Sequence, residues 1–382
     1  MTSPSGTPLS VLDLSPVPSG ATGRDALRNS LDLARRAEEF GYHRYWVAEH
    51  HFAEGVASSA PAVLIALIAS ATRTIRVGSG AVPLGYYAPV TVAEQFGTLS
   101  AAHPGRIDLG LGRSGPGRVK EFSARQTAPG SGPVAPNREV RGLIIPAPAR
   151  TRFGDPAVRE RLAAQQALLH GREDAGKDYL AEVREILDLI GGSFTTGDDL
   201  ALRAPAAEGA DAEIWLLGSS AGASSTAAGA LGLPFVANYH VSPSSVLETV
   251  DAYRAAFVPT AERPRPHVMV SADVVVAREQ ETARRLASPY ARWVLSIRSG
   301  AGAIPFPTPD EAAAFPWTEE QRDLVADRVD TQIVGDPETV VERLTALRDA
   351  TGADELLITT IAHDHEERAR SYELLAEAWA KG

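Results

Sequence analysis

An eight-stranded parallel (β/α)8 barrel, the TIM-barrel architecture, is the fold class this sequence predicts, and three observations predict it. Apolar, strand-like runs alternate with helical patterns along most of the chain, and the alternation yields eight pairs. Most connections are short, which implies right-handed βαβ units and a parallel sheet. The 382 residues contain no internal repeat and no linker that would separate the chain into independent folding units. One barrel domain over residues 1–382 is therefore expected, interrupted by insertions at about 114–175 and 278–330. A doubly wound open sheet is the structural runner-up.

Leu9 to Leu14 (LSVLDL) is the first strand, stopped by Ser15-Pro16. The helix after it runs from about Arg24 to Phe40, with Leu27, Leu31, Ala34 and Ala37 at helical spacing and Gly41 at the C′ position. His43 to Ala48 is the second strand. Its helix runs from Ser59 to Thr72, with Ser58 or Ser59 as cap and Pro61 in the first turn. The third strand, Ile75 to Val82, is rich in small residues, and its helix spans Pro89 to Ala102. Arg106 to Gly112 is the fourth strand.

The rhythm breaks at Arg113. Residues 114–160 are rich in Gly, Pro, Ser and Arg and show no period, as a lid or binding loop would. Order returns with a helix from Lys177 to Ile190, a fifth strand from Glu213 to Gly218 and a small-residue helix from Ala221 to Leu231. Leu233 to Tyr239 and His267 to Ala277 are strands six and seven, with a helix from Ser244 to Phe257 between them. Residues 278–330 form the second insertion, partly helical and partly Pro-rich. Asp336-Pro337 caps and starts a helix reaching Ala350, Glu355 to Thr360 is strand eight, and an amphipathic helix from Glu366 to Ala380 closes the chain.

Composition narrows the function. Hydrophobic residues at 44% and charged residues at 22% describe a soluble globular protein. A net charge of −11 argues against nucleic acid or an anionic membrane as the main partner, while leaving room for a local cationic pocket. The absence of Cys excludes disulfides, iron–sulfur clusters and thiolate zinc sites. Met1 to Gly6 has no signal-peptide character, and the apolar run from Ala60 to Ala71 is too short to span a bilayer, so a cytoplasmic protein is expected.

A barrel concentrates its chemistry at the C-terminal ends of the strands. Those ends are Asp13 to Ser15, Glu49-His50-His51, Ser79 to Ala81, Arg113-Ser114, Ser219-Ser220, Asn238-Tyr239-His240 and His363-Asp364-His365. In Trp46-Val47-Ala48-Glu49-His50-His51-Phe52 an apolar strand opens onto a carboxylate and two imidazoles. Consecutive strand residues point to opposite faces, so only one of the two histidines can face a ligand above the strand. The bland alternative is a solvated loop with locally bonded histidines.

Gly110-Leu111-Gly112-Arg113-Ser114-Gly115 matches G-x-G-x-x-G, but no helix opens after it and no acid-terminated strand lies about 20 residues on, as a dinucleotide fingerprint requires. Arg113 reads better as a phosphate clamp, since a guanidinium pairs bidentately with phosphate oxygens. Leu217-Gly218-Ser219-Ser220-Ala221-Gly222-Ala223-Ser224 puts hydroxyls at a strand end and helix start, which suits an anion; helix capping by Ser219 or Ser220 is the competing reading. His363-x-His365 invites a metal, yet no ligand set of metal-site spacing assembles around it, and the site is expected to hold no metal. Asp364 and Glu366 suit a helix N-terminus instead.

With these motifs in register, the chain resembles the bacterial luciferase-like flavin-dependent monooxygenases from Leu9 to the C-terminus, apart from residues 114–175 and 278–330. The resemblance implies a (β/α)8 barrel, reduced FMN supplied by a separate NAD(P)H-dependent flavin reductase, and O2 as co-substrate. It makes His50 the catalytic residue and Arg113 the phosphate ligand, with Ser219, Ser220 and Ser224 holding the same phosphate. It places a non-proline cis peptide at Gly80-Ala81, beneath the isoalloxazine. It further implies oxygenation of a small aldehyde, ketone or similar molecule through a flavin C4a-hydroperoxide, and a homodimer formed through the apolar helices at 59–72 and 89–102. The alternatives are a deazaflavin-coenzyme oxidoreductase of the same fold, a metal-dependent barrel hydrolase built on His50, His51, His363 and His365, and a non-catalytic flavin-binding relative.

Overall fold

The computed structural model describes residues 6–113, 136–148, 156–169 and 178–381. Its strands in chain order are β1 (Leu9–Asp13), β2 (Arg44–Val47), β3 (Arg76–Ser79), β4 (Val82–Pro83), β5 (Ile107–Gly112), β6 (Arg138–Val140), β7 (Leu143–Ile145), β8 (Glu213–Gly218), β9 (Phe235–Asn238), β10 (Val268–Val276), β11 (Ile333–Gly335) and β12 (Glu355–Thr359). Eight of them form a closed parallel ring in the order β1, β2, β3, β5, β8, β9, β10, β12 and back to β1. The open-sheet runner-up is thereby excluded. Of the remaining four, β4 continues the third strand against β5, β11 flanks β10, and β6 and β7 form an antiparallel hairpin.

The helices are α1 (Gly23–Glu39), α2 (Pro61–Ala71), α3 (Pro89–Ala102), α4 (Pro156–Leu168), α5 (Tyr179–Gly191), α6 (Ala223–Ala230), α7 (Val246–Ala256), α8 (Gln280–Ala287), α9 (Tyr290–Arg298), α10 (Pro309–Ala313), α11 (Glu319–Thr331), α12 (Pro337–Thr351) and α13 (His365–Trp379). Among the described residues, no helix is long and apolar enough to cross a membrane. Their ends follow local chemistry. Thr22 caps α1 in a reciprocal box with Asp25, and Gly41 supplies the positive φ of 85° past its C-terminus. Asp336 and Asp364 accept bonds from the first turns of α12 and α13, as their positions before the helices predict. At α2 the expected serine cap is absent. The N-cap is Ala60, and the Ser58 hydroxyl donates instead to the Ala48 carbonyl at 2.5 Å, tying the loop back to β2.

Strand alternation divides the interior into two layers. Val11, Tyr45, Val77, Ile214, Phe235 and Ile358 point outward and pack beneath the helices. Leu12, Trp46, Trp215, Val236, Met269 and Leu357 point inward and fill the barrel. Trp46 and Trp215 meet edge to face at 5.5 Å.

The N-terminal end of the barrel is plugged by charge. Arg44, 5% exposed, donates to Asp108 at 2.9 Å, to Glu213 at 2.8 Å and to Glu355 at 3.2 Å, and lies 4.9 Å over the Trp215 ring. Trp46 Nε1 donates to Asp108 at 2.9 Å. Buried carboxylates without a cation would be costly, and Arg44, with Arg76 on Asp108 and Arg263 on Glu213, keeps this plug tenable.

The first insertion holds more order than its composition suggests. Among its described residues, β6 and β7 pair through a two-residue turn, Arg141-Gly142, with φ of 53° and 80°. Positive φ at both central residues is the hairpin turn that matches strand twist. Tyr239 fastens this hairpin by donating to the Ile144 carbonyl at 2.7 Å. The helix α4 also lies in this insertion; Ser114, Gly115 and the predicted helix start at Lys177 fall outside the described residues.

Candidate active site

The C-terminal rim of the barrel brings together residues from six strands. On β2 and the segment leaving it, Trp46 and Ala48 face inward and His50 continues that face, while Glu49 and His51 turn the other way. His51 Nε2 lies 2.8 Å from Glu49 Oε1, and the Tyr87 hydroxyl donates to the same oxygen at 2.7 Å. Burial pushes the Glu49 carboxyl up, against the two hydrogen bonds that favour its charge, and Glu49 Oε2 has no partner among the described residues. The two histidines are thus inequivalent, as alternation predicts.

The His50 ring makes no hydrogen bond among the described residues, and its backbone N–H donates to the Ser58 carbonyl at 2.9 Å. The residue is exposed to solvent at the mouth. Desolvation by the surrounding wall, then the neighbouring His51, lowers its ring pKa, to about 4. His50 is therefore neutral at physiological pH.

The small residues of β3 and β5 have a steric cause. A Cβ on Gly110 would lie 2.0 Å from the Ser79 carbonyl oxygen, and one on Gly80 would lie 2.8 Å from Leu12 Cδ1. The Gly80–Ala81 peptide is cis, as the resemblance implies. Together Gly80, Ala81, Gly110 and Gly112 leave this arc of the wall nearly bare of side chains.

Next along the ring, β5 and β8 pair with Gly112 opposite Leu217, so Arg113 and Ser219 leave neighbouring strand ends. Arg113 is half-buried. Capping by Ser219 or Ser220 does not occur. The α6 N-cap is Gly222, bonded reciprocally to Ser225, while the Ser219 hydroxyl accepts from Asn238 at 3.1 Å. Ser220 is exposed and Ser224 is buried in the first turn of α6. This corner joins a guanidinium, hydroxyls and a helix N-terminus, a donor set matched to a phosphate. These residues fit a phosphate-bearing flavin or deazaflavin cofactor.

Opposite lies a polar group of which the strand ends revealed only His240. That residue follows β9, and its Nδ1 is 2.5 Å from the Ser271 hydroxyl on β10. Burial first, then the charges of Arg328 and His50, bring its pKa to about 3. Asp273, two residues after Ser271 on the same face, accepts from Arg328 at 3.0 Å and from the Tyr290 hydroxyl. Met269, Ser271 and Asp273 alternate within an apolar strand, and that period-two polarity was a usable signal for an inward face. Arg328 and Tyr290 carried none, because they belong to insertion helices α11 and α9 and reach the rim only through tertiary packing.

Other strand ends do not join. Asp13 faces outward, accepting from Arg368 of α13 at 2.7 Å and from the Tyr45 hydroxyl at 2.6 Å. His363 Nε2 contacts the Ser19 carbonyl at 3.0 Å, and His365 Nε2 contacts Asp32 at 2.8 Å. Asp32, His365 and Glu366 are close enough to bracket a cation, but Arg36 already pairs with both carboxylates. The four-histidine set of the hydrolase alternative therefore does not converge.

The rim is partly covered. Val17 donates to the Gly55 carbonyl, Gly55 to Ala303 and Phe306 to Val17, at 2.7–2.9 Å, stitching the second insertion to the loops after β1 and β2. Val158 of α4 packs against Gly300 in the same place, so both insertions meet beside the β2 loop.

Residues 8–355 match the family model described as luciferase-like monooxygenase. YvbT of Bacillus subtilis (strain 168) is 38% identical over 98% of this chain and 97% of its own length. A luciferase-like monooxygenase of Escherichia coli (strain K12) is 33% identical over 96% of this chain and 95% of its own. Among solved structures, apo-MsnO8 is similar with a TM-score of 0.77 and 32% identity, covering 98% of this chain and 99% of that one. Two more distant structures share the fold. They are the FMN complex of the oxygenating constituent of 3,6-diketocamphane monooxygenase from Pseudomonas putida (TM-score 0.63, 20% identity) and an F420-dependent secondary alcohol dehydrogenase (TM-score 0.60, 14% identity). Each covers 98% of this chain, which covers 98% of the former and 99% of the latter.

Proposed function

The chain belongs to the luciferase-like monooxygenase family, and from that premise we propose that it uses reduced FMN and O2 to oxygenate a small organic substrate, an aldehyde, ketone or similar molecule. The observation that carries this reading is the shared rim. The inward imidazole of His50, the glycine-lined arc of β3 and β5 and the anion-suited corner of β5 and β8 all open into one barrel mouth.

In this reading Arg113, Ser219, Ser220 and Ser224 hold the FMN phosphate, and Gly80 and Ala81 carry the planar ring. Reduced FMN with O2 supplies the electrons and the oxygen atom that the substrate receives. The protein itself excludes water and handles protons. Trp46, Trp215, Leu217 and Met269 make the floor apolar, and the stitched insertions close over some of it. His50, neutral and with no ring hydrogen bond among the described residues, accepts or donates a proton at a ring nitrogen facing the mouth.

A separate NAD(P)H-dependent flavin reductase supplies the reduced cofactor. A homodimer is proposed through α2 and α3. Leu64, Ile65 and Ile68 are buried under α2, whereas Val63 and Leu67 are 62% and 53% exposed, beside Val90 of α3 at 37%. An apolar outer face on a surface helix suits a second copy.

The test is an absorbance titration of purified protein with FMN and, separately, the deazaflavin coenzyme, followed by mixing the reduced complex with O2. Saturable FMN binding and consumption of O2 by the reduced complex are expected. Binding of the deazaflavin alone, with no O2 consumption, would move the reading to hydride transfer.

A further inference from the structure

We infer that His240 is a second active-site imidazole, presenting an Nε2–H donor to the carbonyl oxygen of the substrate from the wall opposite His50. This rests on the monooxygenase reading of the same mouth and adds to it a substrate-contacting residue and an acceptor-bearing substrate.

The topology sets the two rings face to face. Going round the barrel from β2 to β9, the strands β3, β5 and β8 lie on one side and β10, β12 and β1 on the other, so the two are diametrically opposed. Val236 and Asn238 point inward on β9, and His240 continues that alternation as His50 does on β2. The two rings are near enough that His50, once protonated in acid, opposes protonation of His240, after burial and Arg328.

Hydrogen bonding engages one ring nitrogen and leaves the other open to the mouth. At a pKa of about 3 the ring is neutral at physiological pH and has one N–H. The Ser271 hydroxyl is 2.5 Å from His240 Nδ1 and 3.5 Å from the Ala237 carbonyl. Nδ1 is engaged by Ser271 in either tautomer; the tautomer proposed here has Ser271 donating to Nδ1 and the ring proton on Nε2. That atom makes no hydrogen bond among the described residues and is not sealed from solvent. Ser271 is fully buried, and its neighbour on the same face, Asp273, is clamped by Arg328 and Tyr290. The donor is therefore held on a rigid wall. The arc of β3 and β5 and the corner of β5 and β8 take the cofactor in the monooxygenase reading, which leaves the β9 and β10 wall to the substrate.

Cyclohexanone serves as the carbonyl probe. Its binding to the FMN-loaded protein is measured by calorimetry for wild type, His240→Ala and His240→Gln, with 15N NMR of the imidazoles in parallel. The ketone should bind wild type, shift the Nε2–H resonance of His240 and bind His240→Ala about 10-fold more weakly, the loss of one hydrogen bond. His240→Gln, whose amide N–H₂ reaches the Nε2 position, should recover most of that loss. Thermal unfolding of each variant checks that it is folded. Equal ketone affinity in wild type and His240→Ala, no ketone binding to wild type, or a His240 spectrum with the proton on Nδ1 would each overturn the assignment. Failure of wild type to bind FMN refutes the monooxygenase reading instead, and the ketone titration is then run on the flavin-free protein.

Discussion

Replacing His50 with Ala tests the centre most directly. The ring pKa of about 4 means that only about one ring in a thousand is protonated at pH 7, since each pH unit is tenfold. His50 must then work as a neutral imidazole. Oxygenation should be constant from about pH 5 to 8 and fall below that, as protonation removes the lone pair at about 4. His50→Ala should lower oxygenation about 10²–10⁴-fold, the range for a lost general acid or base, and should abolish the acidic limb near pH 4. FMN affinity should hardly change, because Arg113 and the serines lie on β5, β8 and α6. The assay is stopped-flow mixing of the reduced complex with O2 and a carbonyl substrate across pH, with product and peroxide counted at the end. An acidic limb near pH 6.5 in wild type would show that the enclosure does not lower the pKa. Normal turnover by His50→Ala would make the residue structural. Normal His50→Ala beside a dead His51→Ala would show that the two roles are reversed.

Three further outcomes are expected. Arg113→Ala should weaken FMN about 10–100-fold and riboflavin hardly at all, since a charge-assisted bond contributes about 1.5–3 kcal/mol and only FMN carries the phosphate; equal weakening in equilibrium titrations would remove Arg113 from the phosphate. Arg44→Met should cost about 3 kcal/mol in urea unfolding, because buried Glu355 loses its guanidinium partner while Arg76 still pairs with Asp108 and Arg263 with Glu213. Despite burial, Arg44 holds Glu213 down to about 2 and Glu355 below its usual value, so their contribution is present above pH 4.5 and lost as pH falls towards 2; that acid loss should shrink in the variant, and an unchanged urea midpoint would contradict the account. Leu67→Glu should turn a dimer into a monomer in sedimentation at micromolar concentration, whereas a wild-type monomer would mean that the exposed face of α2 has another use.

Sequence alone determined the order of strands and helices, a parallel βαβ architecture and the opposite directions of His50 and His51. It did so because these follow from local period and chain alternation. The small residues of the third strand and the helix stop at Gly41 were equally legible, since each is a local backbone demand. The polarity of Ser271 and Asp273 was legible in principle, for it has the same period. The hairpin at 138–145 was hidden because its strands are three residues each and its turn is Arg-Gly rather than a common turn pair. The serine cap expected for α2 failed because a nearer carbonyl claimed the Ser58 hydroxyl. Tertiary structure alone decided that Asp13 faces α13, that His365 pairs with Asp32, and that Arg328 and Tyr290 arrive at the rim from an insertion. A hydrogen bond between residues 55 or 355 positions apart leaves no mark on local pattern, because its partners are chosen by the closure of the barrel and the packing of the insertion over it.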